Sequence, residues 1–326
     1  MKAVVCKAWG PPESLVIEDR PALVAAPGHV VMSVKAANVK FSDTLIIANK
    51  YQTKPELPFV PGGEVAGVVK AVGAGVTDWK IGDRVSAQSP SGGYAEEVSV
   101  EAERLQAVPD GCDYASAAGL TSTYGTSYYA LTERGQLKAG ETLLVLGASG
   151  GVGLAAVEIG KALGAKVIAC ASSEEKLAVC REHGADETIN YNTEDMRARV
   201  KAITKGKGID VVYDPVGGDY SELALRDMAW GGRFLVIGFA AGPIPKISLN
   251  LPLIKGCSII GVWMGGMTRR DPAQRHTIAR EMWKLYAEGK IKPHVWGTYP
   301  LAKAADALNA IAGRKVAGKV VLTTEG

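Results

Sequence analysis

The feature that most constrains the fold is a glycine-rich turn between an apolar strand and an apolar helix. Residues 142–146 form a continuous apolar run, glycines crowd the next positions, and helical spacing of apolar residues begins near Val152. Strand, tight turn and helix in this order are typical of a dinucleotide-binding fingerprint, in which the helix N-terminus binds phosphate. Gly150 would let the backbone approach a pyrophosphate, and Gly153 would let helix and strand pack closely. Ala148 replaces the usual first glycine, and a tight turn without ligand is the alternative.

The end of the next strand favours NADP over NAD. An NAD site usually places Asp or Glu there, where it binds a ribose hydroxyl. Here the strand predicted at residues 166–171 is followed by Ser172 and Ser173, and Lys176 comes one turn into the next helix. Hydroxyls and an ammonium suit a 2′-phosphate, which a carboxylate would repel. A serine that caps the helix beside a solvated Lys176 is the alternative, and the cap is compatible with phosphate binding.

The rhythm of apolar segments predicts two kinds of architecture. Up to about residue 120, short apolar runs broken by Gly and Pro favour a β-rich, barrel-like region. Residues 141–262 alternate strand and helix, which predicts βαβ units around a parallel sheet covered on both faces. Two helices and a strand at residues 319–322 follow, and that strand could return to the first region. The fold class is therefore α/β, with a doubly wound parallel sheet and a second, β-rich domain.

Composition excludes several classes of protein. The net charge of +3 is small and not concentrated, so nucleic acid is not an expected partner. The first ten residues lack the apolar core of a signal peptide, and no apolar run is long enough to span a membrane. The five cysteines are scattered without a CxxC pair, which favours reduced thiols in a cytoplasmic protein.

Motifs spread over the whole chain carry a family resemblance. They are PGGEVAGVVKAVGAGV at 61–76, GDRV at 82–85, GGYAEE at 92–97, AGLTSTYGTSYYAL at 118–131, the glycine turn, DPVGG at 214–218 and GKVVL at 318–322. Together they resemble the medium-chain dehydrogenase/reductase superfamily, and most closely its zinc-independent quinone oxidoreductase (ζ-crystallin-like) branch. The resemblance implies a GroES-like catalytic domain at residues 1–122 and 265–326. A Rossmann-type NADPH-binding domain at residues 123–264 would interrupt it, with the nicotinamide in the cleft.

The resemblance also implies roles for individual residues. The turn residues Gly150, Gly151 and Val152 would meet the pyrophosphate, and Tyr191 would join Ser172 and Lys176 at the 2′-phosphate. Without the family, Tyr191 could equally be an aromatic residue that covers the end of the sheet. The remaining cofactor contacts would lie along the adenosine–nicotinamide bridge, with two weaker candidates in the same cleft; they are Gly238, Phe239, Val262, Trp263 and Met264, and then Thr126 and Lys319.

The chain departs from the zinc-using relatives at both positions that would ligate catalytic zinc. Lys40 stands where those relatives have Cys, and Gly63 stands in place of His, and neither residue can ligate zinc. The zinc-independent branch usually has Asn at position 40. Lys40 could stabilise a developing oxyanion, or it could be a solvated surface residue. Tyr51 matches a substrate-pocket tyrosine and could donate to the acceptor carbonyl, or it could be a packed loop residue.

These observations predict an NADPH-dependent enzyme that transfers hydride to a quinone or another conjugated carbonyl. Reduction of an enone or of an acryloyl-CoA-like enoyl thioester is one alternative, for which Arg269 and Arg270 could meet the phosphates of the substrate. A non-enzymatic NADPH-binding protein, like relatives that serve as crystallins or bind RNA, is another. The apolar, β-branched segment at residues 255–262 predicts an edge strand that pairs with its twin in a homodimer.

Overall fold

A computed structural model describes residues 1–324 of the chain. They form two compact units: one contains residues 1–122 and the chain from Pro293 onward, and the other contains residues 123–292. The strands are β1 (Lys2–Val5), β2 (Val16–Asp19), β3 (His29–Val39), β4 (Glu64–Val72), β5 (Arg84–Gln88), β6 (Glu97–Glu101), β7 (Leu105–Ala107), β8 (Thr142–Val145), β9 (Lys166–Ala171), β10 (Glu187–Asn190), β11 (Ile209–Asp214), β12 (Met228–Val236), β13 (Ser258–Gly261), β14 (Val295–Pro300) and β15 (Lys319–Thr323). The helices are α1 (Phe41–Ile47), α2 (Tyr114–Ala117), α3 (Gly125–Tyr129), α4 (Gly151–Ala162), α5 (Glu174–Glu182), α6 (Met196–Ile203), α7 (Asp219–Arg226), α8 (Asn250–Lys255), α9 (Met264–Arg270), α10 (Pro272–Ala287) and α11 (Ala304–Ala312).

The first unit is the predicted β-rich domain. Its main sheet runs in the order β14-β15-β3-β4-β5-β7, and β6 pairs with the other end of β3. Valines of β3 and β4 alternate inward and form its core together with Met32, Tyr94 and Leu308. The last strand does return to this domain: β15 runs antiparallel to β3, with Val320 opposite Val39. Strands from the first and the last part of the chain therefore form one sheet.

The second unit is the predicted doubly wound domain. Its six strands lie in the order β10-β9-β8-β11-β12-β13, and every neighbouring pair is parallel. Residues 143–146 and 167–171 are buried, as expected for central strands covered by helices on both faces. Strand β13 stands at one end of the order, so one of its edges has no neighbour in the sheet as described. The loops that carry the candidate cofactor residues lie at the carboxyl ends of the parallel strands.

The boundary after the cofactor domain differs from the predicted one. Residues 265–292 belong to the second unit, whereas the predicted boundary at 264/265 assigned them to the catalytic domain. The reason is the packing of α10, whose buried Ile278 comes so close to α3 that a Cβ on Gly125 would lie 3.1 Å from it. The apolar face of α10 is buried against the second unit. The order of elements along the sequence does not show which unit a helix packs against. Within residues 1–324, no helix has both the length and the apolarity needed to cross a membrane.

Candidate active site

The glycine turn has the geometry of an anion site. Strand β8 is followed by buried Leu146, and Gly147 takes a left-handed φ of 56° that a side chain would disfavour. Gly150 caps α4 in an extended conformation, and the first bond of the helix runs from Leu154 N to Gly150 O at 2.7 Å. The N–H groups of the first helical turn therefore lack helical partners and can face a phosphate. Residues 151–154 bring no acidic side chain to this turn.

Two glycines of the turn differ in what they make room for. A Cβ on Gly153 would lie 2.3 Å from Gly147 O, so α4 approaches the turn as closely as the backbone allows. A Cβ on Gly150 would lie 3.4 Å from the same oxygen, which is ordinary contact, so internal packing does not require glycine there. The fully buried Ala148 donates its N–H to Cys170 O at 2.9 Å and ties the turn to β9. The cradle thus fits a dinucleotide pyrophosphate.

The polar residues predicted for the 2′-phosphate lie together at the end of β9. The Nζ atom of Lys176 is 3.1 Å from Ser172 Oγ. Ser173 caps α5 and accepts the N–H of Lys176 at 3.5 Å, so capping and clustering occur together. The sequence reasoning missed Asn192, whose side-chain amide donates to Ser172 O at 2.9 Å and fixes the strand end. The hydroxyl and the ammonium stand where an NAD protein would present a carboxylate.

Two carboxylates near this cluster also escaped the sequence reasoning. Glu174 and Glu175 occupy the first turn of α5. Arg181 pairs with the carboxylate of Glu174. A hydrogen bond from Ser173 lowers the pKa of the fully exposed Glu175. Arg181 thus offsets the charge of Glu174, whereas Glu175 stays charged. Both side chains belong to the helix rather than to the strand end.

Tyr191 lies beside the same strand end. Its N–H donates to Ala171 O at 3.2 Å, which places the residue just beyond β10. Its ring lies against that of Tyr220, tilted by 40° with 4.5 Å between ring centroids, and packs against the core of the second unit. Tyr191 therefore does cover the end of the sheet, which was the alternative to a cofactor contact, and it does so next to Ser172.

The loop that carries Gly238 and Phe239 is braced by a buried carboxylate. Asp214 ends β11 and accepts the N–H groups of Val216 and Gly217, both at 2.8 Å. Its backbone oxygen accepts from Gly238 N at 3.3 Å. Burial raises the pKa of Asp214, and these hydrogen bonds, with one from a serine of α7, oppose the rise. The sequence identified DPVGG only as a motif; its acid fixes two loops at the carboxyl end of the sheet.

The segment after β13 puts an indole at the surface of the second unit. Val262 and Met264 are buried, whereas Trp263 is 44% exposed. The guanidinium groups of Arg269 and Arg270 lie 4.9 and 5.8 Å from its ring centroid. The two arginines are therefore placed on an exposed aromatic ring, as cations commonly are.

Thr126 lies on α3, half-buried, next to a serine that the sequence reasoning missed. Ser127 Oγ donates to Val152 O at 2.8 Å and lies 2.8 Å from the hydroxyl of Tyr213. Helix α3 is thus tied directly to the first turn of α4. Thr126 therefore lies on a helix that contacts the phosphate cradle through its neighbour.

In the first unit, Lys40 belongs to a network of buried charges. It follows β3, and its Nζ lies 3.2 Å from Oε1 of Glu64 in β4. Asp43 in α1 accepts the backbone N–H of Lys40 at 2.9 Å and the hydroxyl of Tyr94 at 2.7 Å. Asn38 donates to the other oxygen of Glu64 at 2.9 Å. Lys40 is therefore not the solvated surface residue of the alternative, although its side chain is 28% exposed.

The electrostatics of this network favour a charged Lys40. Burial acts to lower the pKa of Lys40, but Glu64 and Asp43 together raise it above the ordinary lysine value. Burial raises the pKa of Asp43 and, together with Asp43, that of Tyr94. Tyr51 is half-buried in the same unit; burial raises its pKa and the charge of Lys40 opposes the rise. The two residues predicted for the chemistry thus interact electrostatically.

Lys319 has a different position from the one expected of a cofactor contact. Its side chain is buried, and Nζ donates to the carbonyl oxygens of Ala115, Ser116 and Ala118. An ammonium has three N–H donors, so these acceptors account for all of them. Burial lowers its pKa to about 8. In this arrangement Lys319 braces α2 and the residue that follows it, instead of extending toward a ligand.

The position of Gly63 leaves no room for a metal ligand. A Cβ there would lie 2.4 Å from Ser89 O, and Gly63 O accepts Ser89 N at 2.8 Å, so the two backbone segments are in contact. Over the described range, residues 1–324, no three His, Cys, Asp or Glu side chains are grouped so as to hold a metal ion.

Comparison with known proteins identifies the family. Residues 26–110 match the family model "Alcohol dehydrogenase GroES-like domain", and residues 151–287 match "Zinc-binding dehydrogenase". A quinone oxidoreductase-like protein 2 homolog of Nematostella vectensis is 38% identical over 99% of this chain and 89% of its own. The quinone oxidoreductase of Pseudomonas aeruginosa is 37% identical over 98% of this chain and 99% of its own. The chain belongs to the quinone oxidoreductase family.

A solved member of the quinone oxidoreductase family extends the likeness to three dimensions. The Escherichia coli quinone oxidoreductase complexed with NADPH superposes with a TM-score of 0.92 at 32% identity, covering 99% of this chain and all of that one. The predicted membership in the medium-chain dehydrogenase/reductase superfamily and the predicted fold class are confirmed. As a member of this family of oxidoreductases, the chain has the GroES-like and Rossmann-type domains expected from its motifs.

Proposed function

We propose that this chain is an NADPH-dependent quinone oxidoreductase, which transfers hydride from NADPH to a quinone or a similar conjugated carbonyl. The observation that carries the proposal is the pair formed by Lys176 Nζ and Ser172 Oγ, 3.1 Å apart at the end of β9. That strand end is tied to the phosphate cradle by the bond from Ala148 to Cys170. The end of β9 bears no carboxylate where an NAD protein would have one. A relative of known structure was crystallised with NADPH.

The residues that would hold NADPH form three groups, each of which would contact a different part of the cofactor. Gly150, Gly151 and Val152 offer backbone N–H groups to the pyrophosphate. Ser172, Lys176 and Tyr191 suit the adenosine 2′-phosphate. The proposed contacts toward the nicotinamide are Thr126, Gly238, Phe239, Val262, Trp263 and Met264. The bound cofactor supplies the hydride, and the protein supplies its binding and orientation.

The proposed chemistry on the acceptor uses Lys40 and Tyr51. The ammonium of Lys40 and the hydroxyl of Tyr51 stabilise the negative charge that develops on the acceptor oxygen as hydride arrives. Zinc plays no part in the proposal, because an ammonium and a glycine occupy the two ligand positions. An electron-poor quinone or enone needs less polarisation than an alcohol, which favours reduction of such acceptors.

The direct test measures loss of NADPH absorbance with a panel of acceptors. We expect turnover with quinones and enones, and calorimetry should give tighter binding of NADPH than of NADH. Crotonyl-type thioesters in the same panel test the alternative substrate class, for which the arginines stacked on Trp263 are the supporting observation. Tight NADPH binding without turnover of any acceptor would favour the non-enzymatic alternative. Equal affinity for NADH and NADPH would contradict the proposed use of NADPH.

The proposal includes a homodimer formed through β13. This strand ends the sheet order, and large apolar side chains on it and around it are exposed: Ile259 by 41%, Ile254 by 65%, Leu253 by 76% and Trp230 by 83%. A second copy of β13 would complete the sheet and cover this surface. Sedimentation at micromolar concentration should give the mass of a dimer, and Ile259→Lys should shift it toward the monomer. A wild-type monomer would contradict the homodimer.

A cytoplasmic location is also proposed. Its support is the state of the cysteines: Cys6, Cys112, Cys170 and Cys180 are buried thiols, and Cys257 is a partly buried one. Cysteines that stay reduced thiols are typical of a reducing compartment. Fractionation of cells that express the tagged protein would test this location.

A further inference from the structure

We propose that Glu64 is a positioning residue that keeps Lys40 as a fixed ammonium, so that Lys40 assists reduction by its charge and does not donate the proton. The inference rests on the proposed function, because it concerns how the acceptor oxygen is stabilised. It goes beyond that function by assigning a role to Glu64 and by naming water as the source of the proton.

The first support is the placement of the ion pair. The carboxylate of Glu64 is 2% exposed, and its Oε1 lies 3.2 Å from Lys40 Nζ, whose side chain is 28% exposed. Lys40 lines a small cavity with Pro61, Gly62 and Ser91, while Glu64 lies behind it in β4. The cation therefore faces the space where a ligand could enter, and the anion anchors it from the protein side.

The second support is the rigidity of Glu64. Asn38 Nδ2 donates to its Oε2 at 2.9 Å. The backbone of Gly119 is so close that a Cβ there would lie 2.6 Å from the same oxygen. The carboxylate is thus held between β3, the chain after α2 and Lys40, and it has little freedom to turn away. A rigid partner fixes the direction in which Lys40 points, which is the function of a positioning residue.

The third support is the balance of charge around Lys40. Two groups besides Glu64 act electrostatically on Lys40: Asp43 in α1 and Tyr51 in the loop after α1. The carboxylate of Asp43 accepts the hydroxyl of Tyr94. In β15, burial lowers the pKa of Lys319 and Glu64 opposes that fall, while the donors of Lys319 bind carbonyl oxygens. Burial opposes the charged form of Lys40, but the two carboxylates outweigh it and raise its pKa above the ordinary lysine value. A more basic ammonium is a poorer acid.

The proton balance of the reaction follows from this arrangement. Hydride adds one hydrogen nucleus and two electrons to the quinone, and NADPH becomes NADP⁺. The product at that moment is a hydroquinone monoanion, which Lys40 stabilises as an oxyanion. The monoanion then takes its second hydrogen from water, and hydroxide is left to the buffer. Lys40 keeps all three of its protons throughout.

The experiment measures single-turnover oxidation of NADPH by a fully substituted quinone, between pH 7 and pH 10, in the wild type and in Glu64→Gln. The wild-type rate should change less than 2-fold across this range, because deprotonation of Lys319 near pH 8 leaves the Lys40–Glu64 pair charged. Its solvent isotope effect should be near 1. Glu64→Gln should lower the rate about 10-fold at neutral pH and add a further fall toward pH 10, because Lys40 loses the partner that keeps it charged. The Kd for NADPH should not change.

The matched control is Glu97→Gln. Glu97 is also a nearly buried carboxylate of the same sheet, paired with Lys70, and it lies outside the network of Lys40. Its variant should retain the flat pH profile. Retention of the flat profile by Glu64→Gln would overturn the proposal, as would a wild-type solvent isotope effect of 2 or more. The isotope effect needs no variant, so it decides the question even if Glu64→Gln fails to fold.

Failure of this inference can be distinguished from failure of the proposed function. If the wild type binds NADPH and reduces quinones but shows the large isotope effect, only the role of Glu64 and Lys40 is wrong. If the wild type reduces no quinone, the proposed function itself is wrong and the inference falls with it.

Discussion

The two units carry their candidate site residues on different kinds of support. In the second unit the phosphate cradle is made by backbone, and a Cβ on Gly153 would clash with Gly147 O at 2.3 Å. In the first unit Lys40 is held by side chains, through Glu64, Asp43 and Asn38. Backbone sites depend on glycines at fixed spacing, whereas the charged site depends on residues that are distant in sequence. The two should respond differently to substitution.

The largest effect should come from breaking the charged site. Lys40→Met is expected to lower the hydride-transfer rate about 100-fold, the usual loss when one stabiliser of a developing oxyanion is removed. The Kd for NADPH should stay within a factor of two, because the cofactor contacts proposed above all belong to the second unit. Stopped-flow measurement of NADPH absorbance gives the rate, and calorimetry gives the Kd. A rate close to that of the wild type would show that Lys40 takes no part in the chemistry.

The backbone site should be most sensitive at Gly153. Gly153→Ala is expected to lower the free energy of unfolding by about 2 kcal/mol, because its methyl group would overlap Gly147 O and Ala148. Gly150→Ala is the matched control: its Cβ has ordinary contact distances, so stability should be near that of the wild type while NADPH binds more weakly. Urea denaturation measures the first effect and calorimetry the second. Equal stability of the two variants would refute the packing role of Gly153.

Lys176 tests the selectivity of the second unit for NADPH over NADH. Lys176→Ala should weaken NADPH binding about 10-fold and leave NADH binding unchanged, because one charge-assisted contact to the 2′-phosphate is lost. Lys207→Ala, an exposed lysine before β11 at the opposite end of the parallel strands, is the control. Calorimetric titration with both nucleotides measures the ratio. A parallel loss of affinity for NADH would point to a role in folding instead.

The smallest effect concerns Lys319 and pH. Its folded pKa of about 8 lies below its ordinary value of 10.5. Between these values the folded chain has released the proton that the unfolded chain still binds, so the contribution of Lys319 to stability grows as pH rises from about 8 to about 10.5. The difference in free energy of unfolding between the wild type and Lys319→Met should therefore increase over that range. A constant or decreasing difference would contradict the lowered pKa.

The same contrast explains what the sequence could predict. The glycine turn, the order of strand and helix, and the pair of Ser172 and Lys176 are local, so spacing alone indicated them. Strand β10 was not predicted, because residues 187–190 are only partly buried and mostly polar. Helix α9 begins Met-Gly-Gly, which disfavours a helix prediction, and it forms because its buried methionines pack in the second unit.

The charged network was beyond sequence reasoning for a different reason. Glu64 was noted only as part of a motif, yet it contacts Lys40 from a different strand. Lys319 was a weaker candidate for a cofactor contact because its GKVVL motif resembles the family, but its bonds run to residues 115–118, some 200 positions earlier. Contacts of this kind depend on the register of β3 with β4 and β15. No periodicity in a single segment encodes that register.

The pairing of β15 with β3 has a consequence for the order in which the chain can fold during synthesis. The second unit is a continuous segment that leaves the ribosome complete, with all six strands of its sheet available. The first unit must wait for β15, since Val320 and its neighbours fill the place beside β3 and Lys319 supplies the brace for residues 115–118. A ribosome stalled just short of β15 should thus present a folded nucleotide-binding insert between the halves of an unfinished barrel.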